Sequence, residues 1–254
     1  MMIHLPPTLS RLVLLAATAV ATSPLHALTF LTEENPPFSF ALKGKPAAGA
    51  STEIVNEMAK RAGVSADIKV MEWDEAYSRA QADKDTCLYS TARLENRENQ
   101  FQWVGELVVN KWALFGRSDF ARPVKSLNEL KPLKIGGVAL DAKVEFLKSR
   151  AITNFREVVR DEQNPPRLFL KPTDPNYIDL WVTGYYSGNE IAQKAKAGPV
   201  KMVYMFRETP LWLACSPRTD KASIRKLTDA LAAMDKDGSR KRILDTIESR
   251  VVSR

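Results

Sequence analysis

The chain has 254 residues, of which 44% are hydrophobic and 26% charged, and its formal net charge at pH 7 is +7. These fractions are typical of a globular protein with a core of ordinary size, and they exclude a disordered or fibrous chain. Basic and acidic residues are interleaved along the chain, so the positive charge indicates a solvated surface and, more weakly, an anionic ligand. It does not have the pattern of a nucleic-acid-binding tail.

The N-terminal segment, residues 1–27, has the pattern of a secretory signal peptide. Arg11 precedes an apolar run at residues 12–21, and a small residue, Ala27, ends the segment. The run is shorter than the roughly 20 apolar residues that span a membrane comfortably. We therefore expect export to the periplasm with cleavage after Ala27, the alternative being an uncleaved anchor.

Cleavage at this position would remove both histidines, His4 and His26. The mature chain would then lack the residue on which Ser-His-Asp catalysis and His-ligated metal sites depend. The segment KIGGVALD at residues 134–141 has neither the glycine spacing of a dinucleotide-binding loop nor that of a P-loop. We therefore expect no metal, no cofactor and no catalytic residues.

Two cysteines, Cys87 and Cys215, remain in the mature chain. Export to an oxidising compartment favours a disulfide between them. Their spacing in the sequence does not decide, because bridging depends on the distance in space. Two free, buried cysteines are the alternative.

Strand and helix patterns alternate in the first half of the mature chain. The predicted elements are a strand at 28–32, a helix at 51–62, a strand at 66–70, a helix at 74–82 and a strand at 86–91. This order predicts parallel strands, and ligands bind beyond the carboxyl ends of such strands. The loops at 33–37 and 90–97 lie at these ends and are where we expect the site.

A second α/β unit follows. Its predicted elements are strands at 111–116, 134–139, 177–182, 201–206 and 211–216 and helices at 142–150, 222–234 and 238–251, with Asp141 as the cap of the first helix. The strands at 111–116 and 211–216 can join the two units. The sequence therefore predicts an α/β fold of two lobes joined by two crossings.

The order and spacing of these segments resemble the bacterial extracellular solute-binding proteins of family 3, the binding components of amino-acid ABC transporters. The resemblance covers residue 28 to about residue 250. It is carried by TEENPPFSF at 32–40, STEIVNEMAKRAG at 51–63, Trp73, STARLENRENQFQWVG at 90–105, LKIGGVALDA at 133–142 and YIDLWVTG at 177–184.

The resemblance implies a type II periplasmic-binding-protein fold. Lobe 1 would contain residues 28–116 and 207–254, and lobe 2 would be the inserted segment 117–206. The return strand at 211–216 would lie beside the strand at 86–91. That arrangement would place Cys87 and Cys215 on neighbouring strands.

The same resemblance assigns the ligand contacts. Arg97 would grip a ligand carboxylate through a bidentate, charge-assisted pair of hydrogen bonds, and Ser90 would donate a further one. The alternative for Arg97 is a surface ion pair with Glu95 or Glu98. Arg93 is a second candidate, for which we favour a surface pair. Among the aromatic residues, Trp73 is the best candidate for the cleft wall, and Phe38 and Tyr185 are weaker ones.

One expected ligand contact is missing. Counting from Asp179, the acidic residue of lobe 2 that pairs with an α-ammonium group in the family would fall at Thr183 or Gly184, which carry no charge. Asp141, Glu33 or Glu106 could replace it, or the ligand could lack an amine. We expect Asp179 itself to have a structural role.

These features together predict a periplasmic, monomeric protein that closes two lobes on a small anionic or zwitterionic ligand. Its membrane partner would be an ABC permease or a sensor kinase, and neither nucleic acid nor an enzymatic activity is expected. The alternatives are a sensor without a transport role and, with less support, a dehydratase of small acids in which Glu33 or Asp141 acts as general acid or base.

Overall fold

The computed structural model describes residues 1–2 and 27–252. The predicted signal peptide lies outside the described residues except for its two ends, and the cleavage site stays a prediction. The helices are Ala50–Ala62 (α1), Trp73–Ala82 (α2), Ala142–Ser149 (α3), Gly188–Lys194 (α4), Lys221–Lys236 (α5), Ser239–Leu244 (α6) and Ile247–Val252 (α7). The strands are Ala27–Thr32 (β1), Phe40–Leu42 (β2), Lys45–Ala48 (β3), Ser65–Val70 (β4), Thr86–Ala92 (β5), Gln102–Arg117 (β6), Ile135–Val138 (β7), Phe155–Val158 (β8), Leu180–Gly184 (β9) and Val200–Cys215 (β10).

Eight strands form one sheet in the order β4-β1-β5-β10-β6-β9-β7-β8. In its centre the two 16-residue strands β6 and β10 pair antiparallel from Gln102↔Cys215 to Arg117↔Val200. Strands β1, β4 and β5 lie at one end of this pair, and β7, β8 and β9 lie at the other. The predicted α/β fold with two lobes joined by two crossings is confirmed.

Each lobe has its own hydrophobic core. In lobe 1, α1 buries Ile54, Val55 and Met58, the face that its helical spacing predicts, against a cluster that also contains Leu227 and Leu231 of α5. A separate cluster lies in lobe 2 and includes Leu114 from the end of β6; its other members are Val124, Leu130, Leu133, Ile135, Val144, Leu147, Ile152, Leu180 and Val182. The lobe boundaries after residues 116 and 206 stay predictions.

Several element boundaries differ from the predicted ones because long-range pairing decides them. The segments at 201–206 and 211–216 are one continuous strand, and the segment at 111–116 is the end of a much longer one. The predicted strand at 177–182 begins only at Leu180, because Asp179 accepts a hydrogen bond from the Lys134 backbone N–H at 2.8 Å and another from the Tyr177 hydroxyl at 2.9 Å. These bonds give Asp179 a structural role, as expected.

Three further differences concern elements whose sequence patterns are weak. Strand β8 was not predicted, since its sequence FREV is short and mostly half-buried. The predicted helix at 238–251 is divided into α6 and α7, and Asp245 stands at the end of α6. The hairpin of β2 and β3 was also not predicted.

Strand β10 returns to lobe 1 beside β5, in antiparallel pairing that sets Cys215 opposite Cys87. The two cysteines form a disulfide, and both are fully buried. The bridge therefore links β5 of lobe 1 to β10, the strand that returns from lobe 2. No helix within residues 1–2 and 27–252 is both long and apolar enough to cross a bilayer.

Candidate functional site

Two adjoining cavities lie where the loops of lobe 1 face lobe 2. The inner cavity, of about 20 Å³, is lined by Glu33, Asn35, Trp73, Ser90, Ala92, Arg97, Asn110, Trp112, Asp141, Ala142, Lys143 and Leu211. The outer cavity, of about 220 Å³, is lined by Glu33, Glu34, Ala41, Val70, Met71, Glu72, Trp73, Val138, Val159, Arg160, Asp161, Glu162 and Ile191. Glu33 and Trp73 belong to both walls, so the two cavities form one candidate cleft.

Arg97 is the most deeply buried cation of the inner cavity, with 1% of its surface exposed. Its Nη2 donates to the Glu145 carboxylate at 2.7 Å and to the Leu140 carbonyl at 2.8 Å. Its Nε and Nη1 have no hydrogen-bond partner. Because an unsatisfied buried guanidinium is costly, these two donors are suited to an oxyanion in the inner cavity.

The Arg97 guanidinium is enclosed by aromatic rings of α2. Its Cζ lies 5.6 Å from the ring centroid of Trp73 and 5.1 Å from that of Tyr77. The Trp73 Nε1 donates to the Leu140 carbonyl at 3.2 Å, the same oxygen that Arg97 contacts. Leu140 has a positive φ of 60°, a left-handed conformation that is costly for a residue with a bulky side chain. Trp73 and Arg97 thus join lobe 1 to the start of α3 in lobe 2.

Ser90 and Asn110 add polar atoms to the inner cavity. Ser90 has a φ of 61°, and its hydroxyl lies 3.4 Å from that of Ser39. Asn110 is 2% exposed, and its Oδ1 has no hydrogen-bond partner. The cavity therefore offers an unused acceptor at Asn110 beside the unused donors of Arg97.

A group of ionisable residues surrounds Lys143 where the two cavities meet. The Lys143 Nζ donates to Asp141 Oδ2 at 2.8 Å, and Asp141 Oδ1 caps α3 by accepting from the Lys143 backbone N–H at 2.6 Å. Burial lowers the pKa of Lys143, but the neighbouring Asp141 and Glu33 outweigh it, and the pKa is raised. The salt bridge leaves Asp141 already paired with a cation.

Glu33 belongs to the same group and lines both cavities. Burial, followed by the nearby Asp141 carboxylate, raises the pKa of Glu33 to about 8 from its ordinary value of 4.5, against the opposing effect of Lys143. At neutral pH, Glu33 therefore carries a proton in the ligand-free cleft.

Asp161 is a third carboxylate of this group and was not predicted from the sequence. Its Oδ2 accepts from the Thr183 hydroxyl at 2.7 Å, and its Oδ1 accepts from Trp181 Nε1 at 2.7 Å. Burial raises the pKa of Asp161, while Lys143 and these two hydrogen bonds oppose the rise. The uncharged Thr183 thus holds a carboxylate that comes from the loop after β8, at the wall of the outer cavity. Prediction of β8 would have identified that loop as the carboxyl end of a parallel strand.

The predicted site residues divide into two sets. Five of them line the cleft: Glu33, Trp73, Ser90, Arg97 and Asp141. The buried Thr183 contacts the cleft through Asp161.

The other predicted residues lie elsewhere. Phe38 is fully buried in the lobe 1 core, where its ring packs edge-on against Tyr186, so its assignment to the cleft wall is corrected. Tyr185 is 40% exposed beside Lys111 and lines neither cavity. Glu106 is exposed on β6 and lines neither cavity. Arg93 forms the expected surface pair with Glu98.

No cluster of histidine, cysteine, aspartate and glutamate suited to a metal ion occurs among the described residues. The cleft is a polar, charged site, with free guanidinium donors of Arg97 at one end and carboxyl groups at the other. Two lobes joined by a pair of long strands, with such a site between them, define a clamshell ligand-binding protein.

The sequence profile of the bacterial extracellular solute-binding proteins, family 3, matches residues 28–247. The chain belongs to this family, and the resemblance noted from the sequence is confirmed. A search of curated protein sequences found no match.

Solved structures share the fold at low sequence identity. A histidine kinase sensor domain with similarity to periplasmic binding proteins superposes with a TM-score of 0.77 at 17% identity, over 88% of this chain and 96% of that one. An ancestral arginine-binding protein bound to glutamine gives a TM-score of 0.71 at 23% identity, over 87% and 97%. The substrate-binding protein of an amino acid ABC transporter gives 0.70 at 17% identity, over 87% and 98%.

Proposed function

We propose that this protein captures a small zwitterionic ligand, an amino acid or a related acid, by closing its two lobes around it. The observation that carries this proposal is Arg97, buried on the wall of the inner cavity with two unused donors. A ligand carboxylate would complete the hydrogen bonding of the guanidinium, and the Asn110 Oδ1 would accept from the ligand.

The amine of the ligand would face the outer cavity. Asp161 and Glu33 lie on that wall, and Lys143 is the cation already placed among the acidic groups. An ammonium group arriving there would favour the ionised form of Glu33, so binding would release a proton. Asp161 accepts hydrogen bonds from Thr183 and Trp181. In this proposal it pairs with the ligand's ammonium group, in place of the acidic residue that the family has at the position of Thr183 or Gly184.

Closure would bring the two halves of this site together. Arg97 and Trp73 come from lobe 1, whereas Asp141, Lys143 and Asp161 come from lobe 2, and the lobes move about β6 and β10. In this proposal, the closed, ligand-bound protein would deliver the ligand to an ABC permease. The protein would act as a monomer in the periplasm, after removal of residues 1–27, without a cofactor and without catalysing a reaction.

A signalling role is the second candidate, and the observation that favours it is the likeness in fold to a kinase sensor domain. The same cleft would then report ligand binding to a kinase instead of a permease. Pull-down of membrane proteins with the ligand-loaded protein distinguishes the two roles, since recovery of a permease supports transport and recovery of a kinase supports signalling.

A dehydratase of small acids is the third candidate, and only the protonated Glu33 favours it, because a general acid must hold a proton at the working pH. Incubation of the protein with the acids it binds, followed by mass spectrometry, tests this activity. Recovery of each acid unchanged supports a binding protein, whereas loss of water from one of them supports the enzyme.

A further inference from the structure

A third cavity, of about 530 Å³, lies on the far side of the Arg97–Glu145 contact from the candidate cleft. Its walls are the segment 93–96 of lobe 1, the face of α3 that carries Glu145 and Phe146, the end of that helix at Arg150, and Arg207 of β10. We name it the arginine cavity. Its lining residues differ from those of the inner and outer cavities.

Two guanidinium groups are gathered on one aromatic ring in this cavity. The Cζ of Arg207 lies 4.5 Å from the ring centroid of Phe146, and the Cζ of Arg150 lies 5.2 Å from it. The two charges are therefore no further apart than about 10 Å, one Debye length at 0.1 M salt. At that separation their repulsion is only partly screened, and an anion between them would relieve it.

Neither arginine has a carboxylate partner among the ion pairs of the described residues. The acidic residues close to them are already engaged or solvated: Glu145 pairs with Arg97, and Glu95 is exposed. The third arginine of the wall, Arg93, is paired with Glu98. Arg150 and Arg207 are thus two cations of this cavity that no carboxylate among the described residues pairs with.

We propose that the arginine cavity is a second ligand site, which binds a small oxyanion of two or more negative charges between Arg150 and Arg207. Guanidinium groups recognise carboxylate and phosphate through paired hydrogen bonds, and the contact of both groups with Phe146 keeps them near each other at the cavity wall. The ligand is therefore a polycarboxylate or a phosphorylated small molecule. Because the walls come from both lobes, its binding favours the closed arrangement.

Titration calorimetry with citrate and with pyrophosphate, at constant ionic strength, tests the site. The purified protein is expected to bind at least one of them at a single site, and Arg150→Gln with Arg207→Gln is expected to weaken binding at least tenfold. The matched control is Arg122→Gln with Arg218→Gln, which removes the same charge at two exposed positions outside the cavity and should change affinity less than twofold. Binding of citrate indicates a polycarboxylate ligand, and binding of pyrophosphate indicates a phosphorylated one.

Absence of saturable binding to both anions overturns the proposal, as does equal weakening in the control. If the double variant fails to fold, the single change Arg150→Gln at an exposed helix end is used, with at least threefold weakening expected. Arg97→Lys separates this site from the cleft, because a lysine keeps a positive charge for Glu145 but cannot form the paired contact with an amino-acid carboxylate. Citrate binding should persist in this variant while amino-acid binding is lost, and loss of citrate binding would place the anion in the cleft and contradict a second site.

Discussion

Arg97 of lobe 1 and Glu145 of lobe 2 form a salt bridge across the cleft, with 2.7 Å between Nη2 and Oε2. The arginine side chain is 1% exposed and the glutamate side chain 29% exposed. One edge of the guanidinium is thus held by lobe 2, while Nε and Nη1 stay free for a ligand. The residue that binds ligand in our proposal is therefore also a residue that holds the lobes together.

Replacement of Arg97 by alanine should weaken the binding of an amino acid at least 100-fold, a loss of about 2.7 kcal/mol in binding free energy. The reason is that a charge-assisted bidentate contact is lost. Arg97→Lys should recover little of it, since an ammonium cannot form the paired contact. Calorimetry with the amino acid that wild type binds best measures the change. Arg117→Ala, which removes an exposed partner of Asp119, is the control and should bind as wild type does. Unchanged affinity in Arg97→Ala would mean that the carboxylate lies elsewhere.

Replacement of Glu145 by glutamine should open the ligand-free protein. A buried guanidinium without a charged partner is costly, so Arg97 would gain from hydration in an open cleft. Small-angle scattering should show a larger radius of gyration for ligand-free Glu145→Gln than for wild type. Glu157→Gln, which alters an exposed pair with Lys148, should leave the radius unchanged. Equal radii for wild type and Glu145→Gln would show that the salt bridge does not hold the lobes.

Replacement of Asp161 by asparagine should discriminate between ligands. Affinity for amine-bearing acids should fall at least tenfold, while amine-free acids of the same carbon skeleton should bind as before, because only the amine meets Asp161. Asp174→Asn, at a loop position outside both cavities, is the control. An equal loss for both kinds of acid would indicate that Asp161 supports the fold of lobe 2 rather than the ligand.

The raised pKa of Glu33 predicts a pH dependence of stability. In the unfolded chain, Glu33 loses its proton near pH 4.5, whereas in the folded protein it keeps the proton up to about pH 8. Its contribution to the free energy of unfolding is therefore fully present below about pH 4.5 and is lost as the pH rises through 8. Arg97, Lys143, Asp141 and Asp161 are the charged groups that face it.

Thermal unfolding between pH 5 and pH 8 measures this effect. The midpoint of wild type should fall across the range relative to Glu33→Gln, which cannot lose a proton at this position. Glu208→Gln, on the exposed side of β10, should behave like wild type. Parallel curves for wild type and Glu33→Gln would contradict the raised pKa.

Removal of the disulfide should lower stability without changing the site. Cys87 and Cys215 are 128 residues apart in sequence, and loss of a bridge across so long a loop costs about 2–5 kcal/mol. The unfolding midpoint of Cys87→Ala with Cys215→Ala should fall by about 5–15 °C for a chain of this size. Affinity for the bound amino acid should be unchanged, because neither cysteine lines the cleft. A midpoint equal to that of wild type would mean that the bridge does not constrain the unfolded chain.

Most helices and strands could be predicted from the sequence because the patterns that define them lie within a few neighbouring residues. The apolar face of α1, the left-handed stop at Gly63 and the cap at Asp141 are each decided within a few residues. The pairing of β10 beside β5 came from the family resemblance instead. Strand β8 was missed because its residues carry no alternation of buried and exposed side chains.

The candidate site was predicted less completely, since its contacts cross between lobes. Arg97 and Trp73 were assigned through the family resemblance, and Glu33 lies in a loop that the strand pattern indicated. No spacing in the sequence indicates that Glu145 pairs with Arg97, 48 residues away. Thr183 was correctly seen to carry no charge, and the carboxylate that it holds, Asp161, became visible only in three dimensions. Phe38 was expected at the cleft wall because it follows the cleft loop, but its ring is buried in the core of lobe 1.

The central claim is that the cleft binds an acid through Arg97. The most direct measurement is calorimetry of wild type and Arg97→Ala, each stripped of ligand by unfolding and refolding, against the amino acids and their amine-free analogues. We predict single-site binding of at least one amino acid to wild type and at least 100-fold weaker binding to Arg97→Ala. Failure of every acid to bind wild type, or equal binding to both proteins, would contradict the account.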